Sequence, residues 1–171
     1  MNGIKLAIIG CGGMGGRHLL GLKELYDSGL SNVKLAAVCD LRRDNADYIA
    51  DQAEELLGAR PRVFQDMERM VQEVPDLQAA SVTTDAGSHH VVAAAALELG
   101  LHVLCEKPLA LTIRGCNRIL DAQRRSNTLL SVAENYRRDP MSRLTRALIE
   151  GGAVGTPYMY LDVSASAGNR I

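Results

Sequence analysis

Residues 4–15 read Ile4-Lys5-Leu6-Ala7-Ile8-Ile9-Gly10-Cys11-Gly12-Gly13-Met14-Gly15, and the architecture follows from them. Ile4–Ile9 is a nearly continuous apolar run, the pattern of a parallel strand covered on both faces. Glycines stop it, and Met14, Leu19, Leu20, Leu22 and Leu25 then trace a helical stripe. The glycines between are spaced G-x-G-x-x-G. In that spacing Gly10 permits a tight turn, Gly12 lets a pyrophosphate approach the backbone, and Gly15 lets the helix pack close to the strand. The free amides of the helix start, at Gly13 and Met14, then face the phosphates. A glycine-rich turn that binds nothing is the plainer alternative, but a strand directly before and a helix directly after favour a dinucleotide.

Outward from this unit, β-rich runs alternate with helical stretches. Strands are expected at Val33–Cys39, Arg62–Phe64, Leu77–Thr83, His102–Cys105 and Thr128–Val132. Helices are expected from Asn45 to Leu57, closed by Gly58, and over Met67–Val74, ahead of Pro75. Three more are expected over His89–Leu99, from a Thr112 cap to Ser126, and over Pro140–Glu150. Six such alternations imply an α/β fold with a doubly wound parallel sheet. Residues 1–138 form the expected dinucleotide-binding Rossmann domain, and 139–171 a connecting helix and the start of a second domain. Thr156–Ser166 alternates like an antiparallel strand and has no sheet of its own to join.

Composition excludes several partners. The chain has 171 residues, 19 basic and 20 acidic, a net charge of −1 and 47% hydrophobic residues. A chain this long can bury roughly 70% of its unfolded surface. Balanced charge and scattered arginine pairs leave no footprint for nucleic acid or anionic lipid. Five Tyr, one Phe and no Trp give few stacking platforms. No apolar run reaches the ~20 residues of a membrane span, and residues 1–9 lack the flank and length of a signal peptide. The four cysteines are far apart without metal-ligand spacing, so buried reduced thiols in a cytoplasmic protein are expected and no metal site.

Chemistry concentrates at the ends of the expected strands. Asp40 ends the second, where a carboxylate can accept hydrogen bonds from both hydroxyls of an adenosine ribose; a turn or cap is its plainer role. Arg42 and Arg43 could pair with a 2′-phosphate, yet Asp40 would repel one, which favours NAD over NADP. After the fourth strand comes Thr83-Thr84-Asp85-Ala86-Gly87-Ser88-His89-His90, at the carboxyl edge where ligands bind. Adjacent histidines face different ways, and each is more simply a packing or capping residue. Glu106-Lys107-Pro108 follows the fifth strand. An ammonium there can polarise a substrate oxygen or deliver its proton, against the bland reading of a solvated lysine. Glu134-Asn135-Tyr136-Arg137-Arg138 follows the sixth strand and offers further donors, or is a plain surface loop.

The order G-C-G-G-M-G, V-C-D, T-T-D-A-G-S-H, G-L-H-V-L-C-E-K-P-L-A-L-T and Y-R-R-D-P resembles the Gfo/Idh/MocA oxidoreductase family from residue 4 to about 160. E-K-P is its most specific piece. The resemblance implies an NAD(P)-dependent dehydrogenase of small sugars, cyclitols or related polyols. It places Gly10, Gly12 and Gly15 on the pyrophosphate, Asp40 on the ribose, and Thr84 and His89 in the loop flanking the nicotinamide. It puts Glu106 on the cofactor side, Lys107 on the substrate hydroxyl as the catalytic residue, and Asn135 and Arg137 near the cleft. Asp85-Ala86 departs from the Pro and polar residue common in the family, so a differently shaped loop is expected. Members are also roughly twice this long. Their second domain supplies a catalytic His and commonly the oligomer contact. A fragment without turnover of its own is therefore expected, with self-association through residues 156–171 and a homo-oligomeric parent. A non-catalytic dinucleotide-binding or regulatory module is the alternative. E-K-P argues against a third, a methyltransferase.

Overall fold

The apolar run that opens the chain becomes β1 (Ile4–Ile9), an inner strand of a six-stranded sheet. The computed structural model describes residues 3–161 and residue 163. With β2 (Val33–Cys39), β3 (Arg62–Phe64), β4 (Leu77–Val82), β5 (His102–Cys105) and β6 (Leu130–Val132), the strand order is β3-β2-β1-β4-β5-β6. Every neighbouring pair is parallel. The helices are α1 (Gly13–Asp27), α2 (Arg43–Leu57), α3 (Met67–Glu73), α4 (His89–Glu98), α5 (Ile113–Ser126) and α6 (Pro140–Glu150). This is the doubly wound α/β sheet that the alternation implies.

Side chains alternate across the sheet and build two cores. Ile8 and Val38 point to one face, where they meet Leu19, Leu22, Ile49 and Ala53 of α1 and α2. Ala7, Ile9, Ala37, Ala80 and Val82 point to the other, against Met70, Leu97 and Ile119 of α3, α4 and α5. Removing a Leu or Ile side chain from water on folding is worth about 1.5–3 kcal/mol, so residues such as Ile8, Leu19 and Leu97 fix which face each helix covers. Alanines on α4, at Ala93, Ala94 and Ala96, are fully enclosed and let that helix lie close to its neighbours.

Local chemistry sets the ends. Asp66 caps α3 by accepting from the Arg69 amide at 2.7 Å, and Thr112 caps α5 by accepting from the Gly115 amide at 3.1 Å. Gly58 closes α2 in the left-handed region (φ 74°), where a side chain would be strained. Helix α2 starts at Arg43, two residues before the expected Asn45, with Asp44 favourably placed in its first turn.

The chain forms two compact units, Met1–Ala133 and Glu134–Ile171. The first holds the whole sheet and α1–α5; the second holds a short 3-10 turn, Asn135–Arg137, and α6. The expected strand at Thr156–Ser166 is not present over 156–161, where the backbone is irregular. Asp162 and residues 164–171 lie outside the described residues. Alternation prepares a segment for a sheet, but a strand exists only through a paired neighbour, which the pattern itself cannot supply.

Candidate dinucleotide-binding site

From β1 the chain winds outward to β2 and β3, then returns to β4 on the other side of β1. The strand order therefore reverses between β1 and β4, and a crevice opens at their carboxyl ends. There the Thr83 amide donates to the Ile9 carbonyl at 2.8 Å, and the Thr83 hydroxyl donates to the Gly10 carbonyl at 2.6 Å. Gly10 has φ +97°, and a Cβ on it would stand 2.6 Å from the Thr84 nitrogen. No other residue fits that position without moving a strand end. A Cβ on Gly15 would strike the Gly10 carbonyl, so this glycine lets α1 pack against the turn.

Gly12 and Gly13 differ, since a Cβ on either would meet nothing within 4 Å. Gly12 is the N-cap of α1 and carries no side chain to satisfy the first-turn amides. The helix thus presents donors into open space, the arrangement that holds an anion. A bound pyrophosphate would fill the volume that these two missing side chains leave.

Asp40 faces the same space. Its carboxylate accepts from the Cys11 amide at 2.7 Å and from the Arg42 amide at 2.8 Å, so the glycine loop and the β2 end are tied together. A cavity of about 670 Å³ joins Gly10, Gly12, Gly13, Met14, Asp40, Arg42 and Thr84. Sequence reasoning missed part of its wall: Leu41, Met67 and Val92 offer apolar surface, and Asp66 adds a carboxylate to that of Asp85 from the loop after β4. That Asp66 lines the cavity follows from the packing of α3 beside β2. Asp85 accepts from the Ser88 hydroxyl at 2.8 Å and the Ser88 amide at 3.2 Å. That hydroxyl, with nearby backbone amides, holds its carboxyl below the usual range. The loop after β4 is therefore shaped by an Asp–Ser turn.

Burial pushes the Cys11, Cys39 and Cys105 thiols up to about 12, with neighbouring carboxylates adding to the effect. These three are buried free thiols as expected, whereas Cys116, also free, is partly exposed rather than buried.

His89 is 1% exposed, with Nδ1 at 2.8 Å from the Pro108 carbonyl and Nε2 at 3.1 Å from the Thr84 carbonyl. It joins the loop after β4 to the turn after β5, and a neutral ring can donate to only one of these carbonyls at a time. Glu106 is also buried. Its Oε1 lies 3.0 Å from His18 Nε2, and its Oε2 accepts the Lys107 amide at 3.0 Å. Lys107 is exposed and is joined to Pro108 by a cis peptide bond. His18 went unnoticed in the sequence, where it lies within the first helix in no recognisable motif spacing. Asn135 and Arg137 are exposed on the 3-10 turn of the second unit. Among the described residues, no three His, Cys, Asp or Glu side chains gather as a metal site, and no helix is long and apolar enough to cross a membrane.

Comparison with known proteins agrees with this geometry. A family model described as an oxidoreductase family with an NAD-binding Rossmann fold matches residues 4–134. Inositol 2-dehydrogenase of Pseudomonas fluorescens (strain SBW25) is 32% identical over 158 residues, which cover 91% of this chain and 44% of that protein. The enzyme of the same name from Klebsiella pneumoniae subsp. pneumoniae is 31% identical, with the same coverage. Among solved structures, scyllo-inositol dehydrogenase from Lactobacillus casei, with bound NAD(H) and scyllo-inositol, superposes with a TM-score of 0.75 at 27% identity. That match covers 90% of this chain and 42% of that one. An NAD-binding oxidoreductase from Klebsiella pneumoniae gives a TM-score of 0.73 at 27% identity, covering 92% of this chain and 41% of that one. The chain thus spans less than half the length of these relatives. Since the family model spans the whole sheet, and with it more than half of the chain, the chain belongs to the Gfo/Idh/MocA oxidoreductase family and carries its NAD-binding Rossmann fold.

Proposed function

We propose that the chain is the cofactor-binding portion of a dehydrogenase that moves a hydride between a nicotinamide and the carbinol carbon of a polyol or sugar-like substrate. One observation carries this reading: the uncapped start of α1, with open space at Gly12 and Gly13, shares a cavity with the Asp40 carboxylate. Amides at Gly13 and Met14 would hold the pyrophosphate, since each needs an acceptor and has no side-chain cap. Asp40 would accept from the adenosine ribose with the lone pairs left free by Cys11 and Arg42. Thr84 and the buried His89 would shape the nicotinamide end. The bound cofactor would supply the hydride acceptor. The exposed Lys107, at the carboxyl edge beyond β5, would hold the substrate hydroxyl. Inositol dehydrogenases among the relatives support the polyol class.

NAD is preferred over NADP in this reading. A 2′-phosphate would have to sit beside Asp40, with Asp66 and Asp85 on the same cavity wall, and among the described residues Arg42 alone lines that cavity as a cation. Calorimetric titration with NADH and NADPH tests it. Tighter binding of NADH is expected, and tighter binding of NADPH would show that the arginines outweigh the carboxylates.

A further inference from the structure

The cofactor reading gives His18 no task, yet its half-buried imidazole contacts two buried polar groups from separate parts of the sheet. It lies on the second turn of α1, past the glycine loop. Its Nδ1 is 2.6 Å from the Ser81 hydroxyl on β4, and its Nε2 is 3.0 Å from Glu106 Oε1 beyond β5. Ser81 is 2% exposed and Glu106 7% exposed. Glu106 in turn accepts the Lys107 amide on its other oxygen. Three segments far apart in the chain thus meet at one imidazole.

From this geometry we infer that His18 is a positioning residue for Lys107, acting through the Glu106 carboxylate. A carboxylate this buried needs partners for both oxygens, and here one partner comes from α1 and the other from the lysine's own backbone. His18 Nε2 holds one oxygen of Glu106 and the Lys107 amide donates to the other, so the imidazole favours the orientation in which the carboxylate ties down that amide. The same helix that offers its start to a phosphate therefore also sets the backbone of the lysine turn. Glu106 serves inside the protein, as the link between them. The claim about the Lys107 backbone stands on these contacts alone; its consequence for the nicotinamide rests on the proposed function.

Three variants separate positioning from space filling. In the 171-residue chain, His18→Gln keeps a donor where Nε2 lies, toward Glu106. His18→Asn reaches only toward Ser81, and His18→Leu keeps neither bond. The first readout is hydrogen exchange of the Lys107 amide by NMR. His18→Leu and His18→Asn are expected to speed it about tenfold, with parent-like protection in His18→Gln, whereas amides of β3 stay unchanged. The second readout is the ratio of NADH to ADP-ribose affinity. It should fall about tenfold in His18→Leu and His18→Asn and recover in His18→Gln, because ADP-ribose does not reach the lysine turn. Unchanged Lys107 exchange in His18→Leu and His18→Asn overturns the inference. So does an equal weakening of both ligands, which marks a general loss of structure. If the parent chain binds no NADH, the cofactor reading falls, and the exchange rates still decide the role of His18.

Discussion

Replacing Gly10 with alanine is expected to lower the stability of the sheet, whereas replacing Gly12 with valine is expected to leave the fold intact and remove cofactor binding. Gly10 sits at φ +97°, and a new Cβ would stand 2.6–2.8 Å from three backbone atoms of Thr83 and Thr84. The left-handed conformation alone costs about 1–2 kcal/mol for a residue with a Cβ. Forcing apart a packed backbone adds about 1–3 kcal/mol. Taking about 3 kcal/mol in all, and about 2–4 °C per kcal/mol for a chain of this size, Tm should fall by about 6–12 °C. Gly12 has an ordinary φ of −83°, with nothing within 4 Å of a Cβ. Valine there loses at most about 1 kcal/mol of N-cap preference, so Tm should move by no more than about 4 °C. Its side chain would occupy the space a pyrophosphate needs, and NADH affinity should drop at least about tenfold. Thermal unfolding followed by circular dichroism, with NADH titration of each variant, measures both. A Gly10→Ala chain that melts with the parent refutes the steric reasoning. A folded Gly12→Val chain that binds NADH like the parent refutes the assignment of the cradle.

Other outcomes follow from the same contacts. Thr112→Ala removes the acceptor of the Gly115 amide and should cost about 1 kcal/mol, or about 2–4 °C in Tm; an unchanged Tm would show that the cap is idle. Iodoacetamide at pH 8 should label Cys116, which is partly exposed, well before Cys11, Cys39 and Cys105; simultaneous labelling of all four in the folded chain would contradict their burial. For those three thiols the folded state favours the protonated form, with values raised from 9.0 to about 12 by burial. Their contribution to stability is therefore fully present below pH 9 and is lost as pH rises toward about 12. Tm should be flat up to pH 9 and fall above it, less steeply in Cys105→Ala. A Tm that rises above pH 9 would reverse the sign.

Much of the site was legible because its signals are local. Gly10 takes a positive φ and Gly15 lies against the Gly10 carbonyl within the same turn, while Asp40 stands at a strand end, so these positions could be picked out from adjacent residues; Gly12 is set by the open space in front of it, not by the backbone. Asp85 was seen as a departure from the family pattern, but its partnership with Ser88 needed the loop's actual path. His89, expected in the loop beside the nicotinamide or more simply as a packing or capping residue, is buried and bridges the Thr84 and Pro108 carbonyls. The strand expected near the C-terminus failed over 156–161 for the opposite reason, because pairing is a property of two segments and alternation of only one.

By itself the sequence determined the alternation of strands and helices, the parallel sheet, and the glycine turn that opens α1. Periodicity, apolar runs and glycine spacing act over a few residues and do not depend on what folds against them. Only the tertiary structure decided what meets across the sheet. Helix α1 brings His18 to Ser81 and Glu106, which stand 63 and 88 residues further along the chain. The return of the chain to β4 beside β1 brings Thr84, Asp85 and Val92 to the cavity that Asp40 enters from β2. Such contacts are set by strand order and by which face each helix covers. Burial of Ile8, Leu19, Ile49 and Leu97 fixes both at once for the whole sheet, and no single stretch of residues carries that information.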